Sequence, residues 1–61
     1  MNSGREHGYA YLIERGGRFE ATVWYWVVTR ERDFVTVASG ESLNEASAKA
    51  DALKAIRSQT P

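Results

Sequence analysis

Three short stretches of the chain are dense in β-branched and aromatic residues, which is the composition of β-strands. They cover residues 9–13 (YAYLI), 19–28 (FEATVWYWVV) and 34–38 (FVTVA). Gly16-Gly17 separates the first two and favours a tight hairpin turn, because both glycines adopt positive φ at little cost. The charged segment 29–33 (TRERD) separates the second stretch from the third. Strands joined by such short loops pair as an antiparallel meander.

A helix is predicted after Ser39-Gly40, which ends the third strand. Ser42 is a favoured N-cap residue, and Glu45, three positions later, completes a capping box. Residues 43–57 are rich in alanine, and their apolar side chains recur at helical spacing at Leu43, Ala46, Ala50, Leu53 and Ile56.

The predicted fold class is therefore α+β, a three-stranded antiparallel meander followed by one C-terminal helix (β-β-β-α). Residues 9–58 form the single domain. Residues 1–8 are expected to be a flexible N-terminal tail, since they contain two glycines and no apolar period. Residues 59–61 form a short C-terminal tail.

The strand side chains divide between two faces, because successive residues of a strand point to opposite sides. With Gly16-Gly17 and residues 29–33 as the two loops, both hairpins give the same division. An aliphatic face collects Ala10, Leu12, Phe19, Ala21, Val23, Tyr25, Val27, Val35 and Val37. An aromatic face collects Tyr9, Tyr11, Ile13, Glu20, Thr22, Trp24, Trp26, Val28, Phe34, Thr36 and Ala38.

One helix covers only one of these faces. We expect it on the aliphatic face, which has fewer polar atoms to bury, with Ala46 and Ala50 allowing a close approach. The reverse arrangement would leave the aliphatic face bare. Either way a large apolar patch stays exposed, and such patches mark partner sites. Under the first arrangement the partner-binding residues are Tyr9, Tyr11, Trp24, Trp26 and Phe34.

Composition narrows the classes of function. The chain has 61 residues, no cysteine, one histidine and a formal net charge of zero. The absence of cysteine excludes a disulfide framework and a thiolate metal site. The zero net charge disfavours strong electrostatic binding to nucleic acid. No apolar run approaches the ~20 residues that span a bilayer, and the N-terminus lacks the apolar core of a signal peptide. The expected location is the cytoplasm.

Catalytic chemistry finds little support in the residues. His7, the one candidate base, falls in the predicted tail. The carboxylates fall at positions expected to be solvated, so nothing would raise their pKa values toward a catalytic range. Gly16-Gly17 lacks the lysine and following helix of a phosphate-binding loop. We therefore expect no enzyme activity, cofactor, metal ion or small-molecule substrate.

The order of elements resembles a class of small DNA-binding domain. The segment 17–23 (GRFEATV) in the central strand and the helix start 42–46 (SLNEA) look like those of the plant ERF-type domain and of the N-terminal arm-binding domains of phage and transposon integrases. The resemblance covers roughly residues 9–56. It implies a binding sheet face, with Phe19, Ala21 and Val23 directed at the helix.

In that class the exposed face carries arginines, whereas the matching positions here are Glu20, Thr22, Trp24 and Trp26. The cations that could contact nucleic acid or an acidic partner are instead Arg15, Arg18, Arg30 and Arg32, at opposite ends of the meander.

The favoured function is a small protein-interaction module that binds itself, as a homodimer, or a partner protein through an aromatic sheet face. By analogy, phages and mobile elements encode small accessory proteins and inhibitors of this kind. The alternative is a nucleic-acid-binding regulatory module of the integrase-arm type.

Overall fold

A computed structural model describes residues 2–17 and 23–59 of the chain. Its elements in chain order are β1 (Asn2–Glu6), β2 (Tyr9–Gly16), β3 (Val23–Arg30), β4 (Val35–Ser42) and α1 (Glu45–Gln59). The strands form one antiparallel sheet in the order β1-β2-β3-β4. The α+β class and the C-terminal helix are confirmed, but the sheet has four strands instead of the predicted three.

The additional strand comes from the segment that we expected to be a flexible tail. Glu6 pairs with Tyr9, so only His7 and Gly8 connect β1 to β2. Both adopt positive φ, 53° and 82°, as a two-residue type I′ turn requires. The tail prediction is wrong because a polar sequence can form an edge strand, which needs little apolar content on its open side.

The predicted turn between β2 and β3 is wrong. Gly16 lies within β2 and pairs with Val23, so Gly16-Gly17 does not form a two-residue turn. Residues 18–22, which include most of the segment carrying the family resemblance, lie outside the described residues. The observed partner of Tyr9 is Arg30 instead of Trp24. This register shift is an even number of residues, so the predicted sharing of faces by β2 and β3 survives.

The third predicted strand is also displaced. β4 begins at Val35, and Phe34 instead closes the preceding turn by donating its N–H to the carbonyl of Arg30 at 2.8 Å. At its other end β4 continues through Gly40, the predicted break, to Ser42. Gly40 pairs directly with Trp26, and a Cβ at Gly40 would lie 2.7 Å from Cζ2 of the indole. Gly40 therefore makes room for a ring within the sheet.

A register irregularity in the β3–β4 ladder changes the faces near the turn. Val28 pairs with Ala38 and Thr29 with Thr36, so Val37 is the extra residue of a bulge. Thr36 thereby shares the side of Thr29, and Val35 comes level with Arg30. Val35 therefore lies on the aromatic face and Thr36 on the aliphatic face, which is the reverse of the prediction.

The helix start differs from the predicted capping box. The side-chain oxygen of Asn44 accepts a hydrogen bond from the N–H of Ser47 at 2.8 Å, which makes Asn44 the N-cap. Ser42 is the last residue of β4, and its hydroxyl donates to Asp51 on α1 at 2.7 Å. Asparagine caps as well as serine does, and β4 extends too far for Ser42 to take that role.

The helix covers the aromatic face, so our expectation that it covers the aliphatic face is wrong. Ala46 and Ala50, the predicted contacts, are exposed. The small side chains of α1 leave room that large rings fill, and each aromatic residue buries about 150–250 Å², more than a valine or an alanine of the aliphatic face would bury. This gain outweighs the cost of the polar atoms on the rings. The buried core consists of Tyr11, Ile13, Val28, Ala48, Ala52 and Ile56.

Candidate functional site

The uncovered side of the sheet is the candidate site. We call it the open face and define it by the strand residues that alternate with the core positions. Cross-strand pairing arranges them in rows that run across the strands. Its members are Ser3, Arg5, Ala10, Leu12, Glu14, Gly16, Val23, Tyr25, Val27, Thr29, Thr36, Ser39 and Glu41.

The centre of the open face is apolar. Leu12 pairs directly with Val27, and Tyr25 lies one row further along β3. Leu12 is 37% exposed, Tyr25 is 41% exposed and Val27 is half-buried. The ring of Tyr25 occupies the space that a side chain at Gly16 would need. The ring therefore packs against β2, beside the backbone of Gly16.

Charges stand at the two ends of this apolar centre. Glu14 and Glu41 flank Tyr25 in one row, since both pair with it across the strands. Arg5 lies two rows away, beside Ala10, and its side chain is 80% exposed. The Arg5 Nε lies 3.5 Å from a carboxylate oxygen of Glu31 in the adjacent turn. The open face is thus acidic at one end and carries a cation at the other.

The structure places four of the five predicted partner-binding residues beneath the helix. Tyr11 is buried, and Tyr9, Trp24 and Trp26 are partly buried against the same core. The fifth, Phe34, is 83% exposed in the turn between β3 and β4, with φ at 58°. The face left open is therefore the one that the sequence analysis defined as the aliphatic face.

The predicted cation sites do not form one patch. Arg15 pairs with Trp24 and Arg30 with Tyr9. These positions are six residues apart along β3, or about 20 Å. Arg18 lies outside the described residues. Arg32 is exposed in the same turn as Phe34.

One of these cations is held by an intramolecular ion pair. Arg30 donates two hydrogen bonds to Asp33, at 2.9 Å from Nε and 2.7 Å from Nη2. This contact lowers the pKa of the Asp33 carboxyl and raises the pKa of Arg30. The pair fixes the turn that presents Phe34.

Sequence reasoning did not select Leu12, Tyr25, Arg5, Glu14 or Glu41 as site residues. Strand alternation did contain the information needed to select Leu12 and Tyr25, because it places both on the aliphatic face. Arg5 and Glu41 could not have been assigned, since both lie in segments that we did not expect to be strands.

Comparison with known proteins supplies no relative: no family model, curated protein or solved structure matches the chain. Across residues 2–17 and 23–59, no group of three or more histidine or acidic side chains is placed to hold a metal ion. Within the same ranges, α1 is too short and too polar to cross a membrane.

Proposed function

We propose that this protein is a small, non-enzymatic interaction module that binds another protein surface through the open face of its sheet. The observation that carries the proposal is the apolar centre of that face. Leu12, Tyr25 and Val27 adjoin one another, and within the described chain no element covers them. A contiguous apolar surface on a domain of this size favours association over exposure to water.

The chemistry of the face supports a protein partner. Tyrosine is among the side chains enriched at binding hot spots, and truncating such a residue costs about 2 kcal/mol or more of binding free energy. The ring of Tyr25 packs against Gly16 of the neighbouring strand, a contact that limits its rotamers and so reduces the side-chain entropy lost on binding. Glu14 and Glu41 beside it supply the polar rim that surrounds a typical interface.

The test compares two leucines. Leu12→Asp places a charge at the centre of the open face, whereas Leu43→Asp changes the 88% exposed leucine that follows β4. We would measure the solution mass by light scattering from micromolar to millimolar protein, and the binding of an anilinonaphthalene dye, which reports accessible apolar surface. We expect Leu12→Asp to reduce association or dye binding and Leu43→Asp to leave both near wild type.

The result that contradicts the proposal is specific to the face. If wild type and Leu12→Asp have the same mass at every concentration and the same dye binding, the open face does not attract apolar surfaces. Denaturation curves for all three proteins serve as the control, because both leucines are exposed and their replacement should preserve the fold.

The nucleic-acid alternative that the family resemblance implies has weaker support. Glu14 and Glu41 flank the aromatic ring of the open face and would repel phosphates, while attraction to phosphate supplies most non-specific affinity. A titration with single- and double-stranded oligonucleotides at low salt distinguishes the two functions. Salt-dependent binding that Arg30 or Arg32 substitutions weaken would favour the alternative.

A further inference from the structure

The two ends of the open face carry opposite charges, Glu14 and Glu41 at one end and Arg5 at the other. We propose that its occupant is a second copy of this chain, packed face to face with its strands antiparallel, so that Arg5 of each copy meets Glu14 of the other. This inference rests on the proposed function of the open face and names its partner. It follows from the positions of the charges relative to the apolar centre.

The row geometry defines the symmetry. The Arg5 row contains Ala10 and Thr29, and the Glu14 row contains Tyr25. The two rows are four residues apart along β3, or about 13 Å. The row of Leu12 and Val27 lies midway between them. A two-fold axis in the interface, perpendicular to the strands and passing at Leu12 and Val27, exchanges the charged rows between copies.

The same operation keeps the order of the strands. β1 of one copy then lies over β1 of the other, and β2 over β2. Arg5 is on β1 and Glu14 is on β2, neighbouring strands about 4.8 Å apart. Packed sheets are separated by about 10 Å, a gap that an arginine and a glutamate side chain reach across together. Each dimer therefore contains two Arg5–Glu14 pairs.

The opposite orientation is disfavoured by the charges. An axis parallel to the strands would lay β2 of one copy over β3 of the other and β1 over β4, which brings Glu14 of each copy beside Glu41 of the other. Like charges placed against each other in an interface are unfavourable, whereas the antiparallel orientation places unlike charges together at both ends.

The turn between β3 and β4 contributes at the same end as Arg5. Arg32 is exposed there, and the two-fold axis brings it toward the end of β4 where Glu41 lies in the other copy. Glu31, which contacts Arg5 within one chain, reduces the positive potential at this end. Arg5 can keep this contact while it faces Glu14, because a guanidinium carries five donors.

The size of the face sets the expected affinity. Four strands at about 4.8 Å and seven residues at about 3.3 Å give a projected area of roughly 400 Å² for each copy. Stable complexes bury about 800 Å² on each partner. The dimer should therefore be weak and concentration-dependent, with dissociation in the micromolar range or above.

Charge reversal tests the arrangement. In Glu14→Arg, Arg5 of one copy faces an arginine of the other at both ends, and in Arg5→Glu two glutamates meet at both ends. We expect each single variant to associate at least about tenfold more weakly than wild type by sedimentation equilibrium at low salt. An equimolar mixture of the two variants should associate as wild type does, and so should Arg5→Glu/Glu14→Arg in one chain.

The controls separate this inference from the proposed function. Lys49→Glu reverses an exposed charge on α1, on the other side of the sheet, and should not change the dimer. One outcome would overturn the inference and leave the proposed function standing: wild type associates and Leu12→Asp weakens the association, but charge reversal has no effect or is not rescued. The open face would then bind a partner in a different orientation. A wild type that stays monomeric to millimolar concentration also overturns the inference. Dye binding that depends on Leu12 would still support the proposed function in that case.

Discussion

Gly40→Ala should destabilise the protein, although alanine ordinarily strengthens a β-strand position occupied by glycine. A Cβ at residue 40 would lie 2.7 Å from Cζ2, 2.8 Å from Cε2 and 2.9 Å from Nε1 of Trp26. Ordinary contacts begin at 3.4 Å, so the indole must retreat by about 0.7 Å. It packs against the buried core, so the displacement is transmitted to the sheet–helix interface.

The magnitude follows from two opposing effects. Overpacking a core by one methyl group costs about 1–3 kcal/mol. Replacing glycine where the backbone permits it gains about 0.4–1 kcal/mol, because the unfolded chain loses freedom, and Gly40 does not have positive φ. The free energy of unfolding should therefore fall by about 1–2 kcal/mol. That is a large part of the roughly 3–5 kcal/mol expected for a domain of this size.

Urea denaturation of a double-mutant cycle isolates the contact. In Trp26→Phe the smaller ring leaves room for the new methyl group, so Gly40→Ala should stabilise that background by about 0.5 kcal/mol. Trp26→Phe itself should be tolerated, because the buried indole N–H has no hydrogen-bond partner among the described residues, and its removal offsets part of the lost packing. Ser39→Ala, one residue away on the open face, is the matched control.

The reasoning is refuted if Gly40→Ala has the same effect in both backgrounds. Equal effects would mean that the alanine methyl group and the indole do not compete for one space. A stabilised single variant with unchanged tryptophan fluorescence would lead to the same conclusion.

The remaining predictions concern the helix cap and the β3–β4 turn. Asn44→Ala should lower the free energy of unfolding by about 1 kcal/mol, measured by thermal denaturation, and Ser42→Ala by less; a larger cost at Ser42 would favour the sequence-based capping box. The hydrogen bond from Arg30 lowers the pKa of Asp33 below its ordinary 3.8, so the pair stabilises the fold above that pH and its contribution is lost as pH falls through the folded pKa. In Asp33→Asn the loss of this contribution on acidification should be absent, which denaturation curves recorded from above to below about pH 4 would measure. A pH dependence of stability equal to that of wild type would contradict the prediction. Phe34→Asn should stabilise the fold by up to about 1 kcal/mol, because phenylalanine is strained at positive φ and asparagine tolerates that conformation; a loss of stability would show that the ring makes contacts in the folded chain.

The local pattern predicted the fold class and the division of β2 and β3 into faces. Alternation fixes which residues share a side, and a register shift of six residues leaves that sharing intact. The choice of covered face could not be obtained in this way. It depends on how the alanine stripe of α1 fits against rings from separate strands, which is a property of packing in three dimensions. The end of β4 was missed for a different reason, because Gly40 was interpreted as a break.

The strand glycines explain that error and connect the core to the candidate site. Gly4 pairs with Tyr11 and Gly40 with Trp26, and in each case a Cβ would collide with the ring. A Cβ at Gly16 would likewise collide with the ring of Tyr25, although Gly16 pairs with Val23 and lies diagonal to Tyr25. A ring laid over glycine covers backbone that would otherwise be exposed, so glycine can remain in a strand when an aromatic residue lies beside it. Two of these rings lie under the helix, but the ring of Tyr25 lies on the open face. The same contact between a ring and a strand glycine is therefore found on both sides of the sheet, in the packing against α1 on one side and in the apolar centre of the open face on the other.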